Sequence, residues 1–292
     1  GGEVDMKRVR MTGIAALLLA CCAQLAGAAA AAARDADPAL WLLKDADTTI
    51  YLFGTIHVLP PGLAWFDEAV ARAFDAAEEL RMEVVLPDDP AALAPVMMRY
   101  ALDAGGEPLS AKLSAQQLAT YRAGMARLGL PAEQLEAFEP WFVSLQISVA
   151  MIAARGMDPS HGVEQVLHAA ALAQGKRLTG FETIDEQMAC LDSTPQDEQI
   201  VGMMTALEDG AQAEREIDGM VASWARGEPE RTAELLNESL KDTPVSARLL
   251  LADRNRRWAE SLRARMAEPG TVFVAVGAGH LAGRDSLQDF LA

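Results

Sequence analysis

Two of the four histidines in the chain follow the same short pattern at the end of an apolar run. In the stretch TIYLFGTIHV, five strand-type residues precede Gly54, and His57 stands three residues after that glycine. In the stretch TVFVAVGAGH, a second apolar run precedes Gly277, and His280 again stands three residues later. Ligands of open α/β sheets bind outside the carboxyl ends of the strands. If the two runs form neighbouring strands, both imidazoles face one crevice.

Such a histidine pair leaves three interpretations open. Neutral imidazole is the commonest metal-ligand side chain, and two histidines with one carboxylate make a three-ligand site that stays open to substrate. Either imidazole could instead act as a general base without a metal. A single histidine near a strand end can also be a structural residue, but the repeated pattern favours a shared site. The glycines allow a sharp turn with positive φ and leave room for close approach.

Two carboxylates are candidates for the same site. Glu83 interrupts the otherwise apolar strand LRMEVVL, where an unpaired buried carboxylate would be strongly destabilising. It therefore needs a metal or Arg254 as its partner, unless this strand position faces solvent. Glu182 follows the short strand KRLTGFE and could reach the same crevice as a base. Glu186 has a different interpretation, because Thr183 stands at the capping-box spacing before it.

The helix LLLADRNRRWAESLRARM is rich in basic residues although the protein is acidic. Arg254 and Asn255 belong either to a solvated, salt-bridged face or to the site, where Arg254 would neutralise a carboxylate or clamp an anionic group of a substrate. Gln187 is interpreted as a structural hydrogen-bonding residue. Glu164 and His168 are four residues apart on a predicted helix, and an ordinary surface pair is the favoured interpretation.

The elements around these residues alternate between strands and long helical stretches. A strand, an amphipathic helix and a second strand make the raw material of a parallel sheet, with long helical segments inserted later. The predicted elements are a hairpin over 41–43 and 49–53, a helix over 63–79, strands over 80–86, 177–181 and 271–276, helices within 90–175 and 184–266, and a closing helix from about 285.

The first 33 residues have the pattern of a secretion signal. The basic stretch MKRVR precedes an apolar segment and small residues in an A-x-A arrangement, so cleavage is expected near 28–33, leaving 34–292 as a single domain. The stretch LLAC also fits a lipoprotein box, in which Cys21 would become the acylated first residue. The apolar run is too short for a stable spanning helix. We therefore expect an exported protein, periplasmic or associated with the outer membrane.

The net charge bears on the possible binding partners, and the cysteine count bears on the possible disulfides. The chain has 25 Lys and Arg against 42 Asp and Glu, a net charge of −17, which repels phosphate backbones. Nucleic-acid binding is therefore not expected. Removal of the leader would leave Cys190 as the one unmodified cysteine of the folded part, unless Cys22 is retained behind a lipidated Cys21. The folded domain is thus not expected to contain a disulfide framework.

Five stretches together resemble the TraB/GumN family, which includes bacterial pheromone-shutdown proteins and the animal Tiki proteins. They are YLFGTIHVLPPG, MEVVL, GFETIDEQ and RNRRWAESL...VFVAVGAGHLAG, with GMDPSHGVEQVL as a weaker fifth, and they run from about 41 to 283. The resemblance implies a mixed α/β fold of the erythromycin-esterase and ChaN-like type, in which a central sheet of few strands carries a large helical insertion. It also implies a further strand after SLQDFLA.

The resemblance also implies roles for individual residues. For Tiki-like members the resemblance implies metal-dependent proteolysis with Mn²⁺ or Co²⁺. This chain resembles the GumN-like branch most, and for that branch the family gives no secure substrate. The family's motif residues fall on His57 and His280 as the two histidines, Gly54 and Gly277 as the shaping glycines, Glu83 as the acidic position, and Arg254 and Asn255 as the basic and polar pair.

The leading hypothesis is an exported metal-dependent hydrolase, with peptide bonds as its candidate substrate. In it His57, His280 and Glu83 bind Mn²⁺, Co²⁺ or Zn²⁺, which polarises the scissile carbonyl and activates water. An alternative is a non-catalytic periplasmic protein that binds a peptide or small ligand in the same crevice. A third possibility is an acid–base enzyme without a metal. Substrate identity and oligomeric state stay open.

Overall fold

A five-stranded sheet organises the chain, with the strand order β2-β3-β7-β5-β6. The computed structural model describes residues 34–292, with gaps at 86, 88, 158–160 and 209. The predicted signal peptide, the lipoprotein box at Cys21 and the cleavage sites all lie outside the described residues. The strands are β1 (Arg34–Asp35), β2 (Leu40–Lys44), β3 (Thr48–Thr55), β4 (Leu63–Ala64), β5 (Glu79–Val84), β6 (Arg177–Glu182) and β7 (Gly270–Gly277).

Four of the five strands in this sheet are parallel. β2 pairs with β3 in antiparallel fashion, which confirms the predicted hairpin. β3, β7, β5 and β6 are then parallel neighbours, so the last strand in the sequence lies between two of the first. β1 and β4 form a separate two-stranded sheet. These pairings confirm the predicted mixed α/β fold with a small central sheet.

Helices account for most of the remaining chain. They are α1 (Glu68–Ala76), α2 (Leu93–Ala101), α3 (Leu109–Lys112), α4 (Ala115–Leu128), α5 (Pro140–Ala154), α6 (Val163–Ala173), α7 (Ile184–Asp192), α8 (Gln196–Glu208), α9 (Gly210–Ala225), α10 (Pro229–Leu236), α11 (Pro244–Ala247), α12 (Asp253–Arg265) and α13 (Leu287–Leu291). The prediction of a helix from residue 63 is wrong at its start, because Leu63–Ala64 is strand β4, which pairs with β1.

The central sheet buries both of its faces. Side chains alternate between the faces along β7, so Phe273 and Ala275 face one layer while Val272 and Val274 face the other. Helices α1, α6 and α9 cover the first face, and α12 and α13 cover the second. This two-sided burial explains why β7 is continuously apolar in sequence.

A second group of helices builds its own core away from the sheet. α3, α4, α5 and α8 bury Leu109, Tyr121, Met125, Ile147 and Met203 against one another. α5 buries one side in this core and exposes Leu145 and Val149 on the other. Among the described residues, no helix has the length and apolarity required to cross a membrane.

Candidate functional site

The two glycine-to-histidine turns lie at the same edge of the sheet. β3 and β7 are parallel neighbours in which Thr55 is paired with Gly277. His57 follows two residues after the end of β3, and His280 ends the 3₁₀ turn Ala278–His280 after β7. The predicted adjacency of the two apolar strands is therefore confirmed. Both imidazoles come from the carboxyl edge, where open α/β sheets bind ligands.

Close approach, and not backbone conformation, explains the two glycines. Gly277 has φ −50°, and Gly54 is not among the positive-φ glycines of the described residues, so the expected positive φ is wrong for both. A Cβ on Gly54 would lie 3.1 Å from the Cα and Cβ of Ala278. A Cβ on Gly277 would lie 3.1 Å from Glu83 Oε1. The glycines thus allow two strand ends and a carboxylate to meet.

His280 is buried and held in one tautomer. Its side chain is 6% exposed, and its Nδ1 lies 2.6 Å from Asn255 Oδ1. Asn255 Nδ2 donates to the carbonyl of Asp285 at 2.8 Å, which fixes the amide so that Oδ1 faces the imidazole. Nδ1 of His280 therefore carries the proton and Nε2 keeps its lone pair. Burial lowers the pKa of His280 to about 4, so the ring is neutral at pH 7.

Glu83 is the carboxylate of this centre and is ionised. Its Oε1 accepts from the Gly277 amide at 2.7 Å, and its Oε2 accepts from Arg254 Nη2 at 2.8 Å and Gln187 Nε2 at 3.3 Å. Burial alone would raise the pKa of Glu83, but His280 when protonated, Arg254 and the Gly277 amide outweigh it and lower the pKa to about 2. At neutral pH, where His280 is uncharged, Arg254 and the amide carry this effect.

Arg254 joins the two predicted carboxylates. Its guanidinium contacts Glu83 Oε2 at 2.8 Å and Glu182 Oε2 at 2.9 Å, and lies over the Trp258 ring at 4.6 Å. Its Nη1 donates to the carbonyl of Leu250 within the π-helical turn Arg248–Ala252, a rare geometry that often marks functional sites. Arg254 is therefore a structural partner of the site, and the interpretation as a solvated face is wrong for this residue.

Glu182 is a buried partner of Arg254. Its side chain is 5% exposed and is not among the crevice-lining residues of the described chain. Besides Arg254, it accepts from Arg257 Nη2 and from Trp258 Nε1, each at 3.2 Å. These donors support an anchoring role for Glu182 toward Arg254, and its role as a base stays a prediction.

His57 stands on the solvent side of the same edge. Its side chain is 83% exposed, and its Nδ1 lies 2.8 Å from Glu164 Oε1. The Thr55 hydroxyl donates to the same carboxylate oxygen at 2.6 Å. The charge and hydrogen bond of Glu164 raise the pKa of His57 to about 9. The interpretation of Glu164 as half of a surface pair with His168 is wrong, because its carboxylate holds His57.

A crevice of about 660 Å³ lies beside His57 and Glu83, whereas His280 and Arg254 are not among its lining residues in the part of the chain that the structure describes. Its polar lining comes from the ends of β3 and β5 and from helices α6 and α7: Thr55, His57, Glu83, Glu164, Gln165, His168 and Gln187. Gln187 thus has a hydrogen bond, as predicted, and also a place in the crevice wall. Glu186 closes the predicted capping box with Thr183 at the start of α7, so that interpretation is confirmed.

Comparison with known proteins shows where this arrangement belongs. The model of the TraB/PrgY/gumN family matches residues 39–292. The chain belongs to this family. It is 24% identical over 291 residues to an uncharacterized protein of Treponema pallidum (strain Nichols), covering 94% of this chain and 86% of that protein. It is 23% identical over 256 residues to the uncharacterized protein YbaP of Escherichia coli (strain K12), covering 87% and 92%. No solved structure matches the chain significantly.

A metal ion implied by the TraB/PrgY/gumN family can be tested against the donor atoms. His280 Nε2 and Glu83 Oε1 are both acceptors and lie 3.8 Å apart. Such a pair suits a bound cation, and Nδ1 of each site histidine is already held by an oxygen acceptor, as in histidines that ligate metals through Nε2. In the described arrangement no three His, Cys, Asp or Glu side chains converge on one ion. His280 and Glu83 therefore fit a cation by their chemistry, and Arg254 Nη1 lies 3.4 Å from His280 Nε2 in this arrangement.

Two contributors to the site in this family member were missed from the sequence. Glu164 lies in the stretch GVEQVL, and Thr55 lies two residues before His57, so both belong to stretches that resemble the family. Thr55 stands inside the first glycine-to-histidine pattern, but nothing in the sequence indicates that it or Glu164 contacts His57. Their link to His57 depends on α6 packing at the end of β3, where the Val163 amide donates to the Ile56 carbonyl at 3.1 Å.

Proposed function

We propose that this protein is an exported metal-dependent hydrolase that cleaves a peptide bond in the crevice beside His57. The observation that carries the proposal is the matched tethering of two histidines at one sheet edge. Glu164 holds Nδ1 of His57 and Asn255 holds Nδ1 of His280, so each ring presents Nε2 to a ligand. At His280 that ligand would displace Arg254 Nη1, which lies 3.4 Å from Nε2. Glu83 provides the carboxylate, with its Oε1 3.8 Å from His280 Nε2.

His57, His280 and Glu83 would hold the ion. A bound divalent cation supplies a polarised scissile carbonyl and an activated water. The protein prepares for it in three ways. Arg254 and the Gly277 amide keep Glu83 ionised, Asn255 keeps the lone pair of His280 on Nε2, and Glu164 orients His57. His57 is protonated near neutral pH in the absence of a ligand, so it must release that proton to bind a metal.

The first test is metal content and affinity, measured by elemental analysis and calorimetry with Mn²⁺, Co²⁺ and Zn²⁺. We expect one ion per chain in the wild type and loss of binding in His57→Ala and His280→Ala with folding intact. His161→Ala is the matched control, because His161 belongs to neither glycine-to-histidine turn. A folded wild type that stays metal-free in excess of all three ions contradicts the proposal.

A second candidate is metal-free acid–base catalysis by His57. The specific observation in its favour is that the exposed imidazole of His57 lies at hydrogen-bond distance from the Glu164 carboxylate. This carboxylate also accepts a hydrogen bond from the Thr55 hydroxyl. Its raised pKa makes the ring a proton donor near neutral pH. Hydrolysis of a peptide library in the presence and absence of EDTA separates the two candidates. Full activity in EDTA, lost in His57→Ala, favours this second candidate.

Export and ligand capture are tested in the same preparations. The mass of the protein recovered from cells distinguishes cleavage near 28–33 from a lipidated Cys21, and a chain that keeps its leader contradicts export. Retained peptide affinity in the double variant of His57 and His280, without turnover in the wild type, supports a non-catalytic binding protein.

A further inference from the structure

One face of α6 forms a continuous wall of the crevice. Glu164, His168 and Leu172 are spaced four residues apart and all three line the crevice. Side chains at this spacing lie on one helix face, and eight residues at 1.5 Å each span about 12 Å. The wall therefore runs from the carboxylate that holds His57 to a leucine about 12 Å away along the helix axis.

The wall changes from polar to apolar along its length. At one end, Glu164 is committed to His57 and Thr55. At the other end, Leu172 is 54% exposed although it is a large apolar residue. Leu93 of α2 and Pro87 line the same crevice. An exposed leucine inside a concave, partly polar crevice is the kind of surface that binds an apolar group of a ligand.

His168 lies between the two ends of the wall. It makes no hydrogen bond or ion pair with another residue in the part of the chain that the structure describes, whereas Glu164, one helical turn earlier, pairs with His57 and Thr55. A ring nitrogen facing a crevice can donate to or accept from a peptide backbone group. His168 thus offers a hydrogen-bonding group between the polar and apolar ends of the wall.

We propose that this wall binds an extended peptide of about four residues, with a large apolar side chain against Leu172 and Leu93. An extended chain advances about 3.3 Å per residue, so four residues match the 12 Å wall. This substrate preference rests on the proposed hydrolase function and deepens it. The peptide backbone passes His168, and the bond to be cleaved lies at the end marked by His57.

The test uses fluorescein-labelled heptapeptides of alanine and glycine whose third residue is leucine, phenylalanine or aspartate. Binding is measured by fluorescence polarisation in EDTA, so that metal-dependent turnover does not interfere. We expect the leucine and phenylalanine peptides to bind at least about tenfold more tightly than the aspartate peptide, because an apolar pocket discriminates by about this factor. Leu172→Glu is expected to remove the preference for the leucine and phenylalanine peptides. His168→Ala is expected to weaken the binding of all three peptides.

Leu145→Glu is the matched control, because Leu145 is also an exposed leucine on a helix but is not among the described residues that line the crevice. The Leu145→Glu variant should bind the three peptides with the same affinities as the wild type. Circular dichroism checks folding, and Leu172→Gln replaces Leu172→Glu if the charged variant unfolds. Equal binding of the three peptides by the wild type, no measurable binding, or an unchanged preference in the Leu172 variants overturns the inference.

Hydrolysis of the same peptides with Mn²⁺, Co²⁺ and Zn²⁺ separates this inference from the proposed function. Apolar peptides that bind through Leu172 but are not cleaved with any ion support the binding wall and contradict the hydrolase. Cleavage without a preference at the third residue, unchanged in Leu172→Glu, supports the hydrolase and overturns the binding wall.

Discussion

At the scale of single residues, Arg254 is the group on which the site depends. It is 8% exposed and pairs with two carboxylates that are themselves mostly buried. A buried charge without its partner is far more destabilising than a buried pair, because neither water nor an opposite charge then solvates it. Arg254 thus keeps Glu83 ionised in a region where burial opposes its charge, and it is also an ion-pair partner of Glu182.

Removing Arg254 should destabilise the fold. Arg254→Ala leaves Glu83 without a guanidinium and Glu182 with only that of Arg257, and we expect the free energy of unfolding to fall by about 3–5 kcal/mol. Arg254→Lys should lose less, since it keeps the charge but not the planar fork. Arg256→Ala is the control on the same helix, because Arg256 is 57% exposed and its ion pair should contribute at most about 1 kcal/mol. Urea denaturation measures all three, and similar losses for Arg254 and Arg256 would refute this account.

The second residue-scale prediction concerns Glu164. Its carboxylate raises the pKa of His57 to about 9, so Glu164→Gln should let that pKa fall toward the ordinary value of about 6.5. Titration of the His57 ring followed by NMR measures this change. Glu186→Gln is the control, because Glu186 caps α7 through Thr183. An unchanged His57 pKa in Glu164→Gln would mean that the contact at 2.8 Å does not govern the imidazole.

At the scale of elements, the site depends on how closely the ends of β3 and β7 approach. Gly54 packs against Ala278, and its carbonyl accepts from Trp224 Nε1 of α9 at 2.8 Å. On the other side of the sheet, Trp258 of α12 lies 4.6 Å from the His280 ring. Helices from both layers therefore clamp the two glycine turns, which fixes the positions of the histidines that follow.

Gly54→Ala should open this junction. The added Cβ would lie 3.1 Å from backbone and side-chain carbons of Ala278, and backbone yields less readily than a flexible side chain. We expect a loss of about 1–3 kcal/mol in the free energy of unfolding. Gly202→Ala in α8 is the contrasting variant, since a Cβ there meets nothing within 4 Å, and it should gain about 0.5–1 kcal/mol. Thermal denaturation compares them, and equal shifts in the same direction would contradict the steric explanation.

At the scale of the whole molecule, a buried charge cluster holds the helical part together. Lys112 at the end of α3 is 1% exposed and pairs with Asp103, which follows α2, and with Glu139, which precedes α5, at 3.2 Å. The hydrogen bonds from Lys112 and the Glu107 amide lower the pKa of Asp103 to about 2. These ion pairs thereby connect the ends of α2, α3 and α5.

This cluster predicts how stability depends on pH. A carboxylate whose pKa is lower in the folded state stabilises the fold above its unfolded pKa of about 4, and the contribution disappears as the pH falls to about 2. Asp103→Asn should therefore lower the free energy of unfolding by about 1–3 kcal/mol at pH 7. The difference from the wild type should shrink between pH 4 and 2. Denaturation curves across this range provide the check, and a difference that does not change with pH would exclude a role for the Asp103 charge.

Several features of this protein follow from the sequence alone because they depend on local pattern. The hairpin, the buried strand β7, the capping box of α7 and the need of Glu83 for a partner are all readable from residue types and spacing. The repeated glycine-to-histidine pattern also identifies both site histidines, since each lies close in sequence to a strand that is itself recognisable from its residues.

The tertiary structure decided the features that depend on residues distant in the chain. β7 lies between β3 and β5, so Gly277 donates to a carboxylate 194 positions earlier in the sequence, and Glu164 reaches His57 across 107 positions. It also decided that Gly54 and Gly277 are required for packing and that Glu182 supports Arg254 behind the site. Local pattern specifies which element forms, whereas side-chain contacts between elements depend on strand order and helix packing, which arise from burial of the whole apolar surface at once.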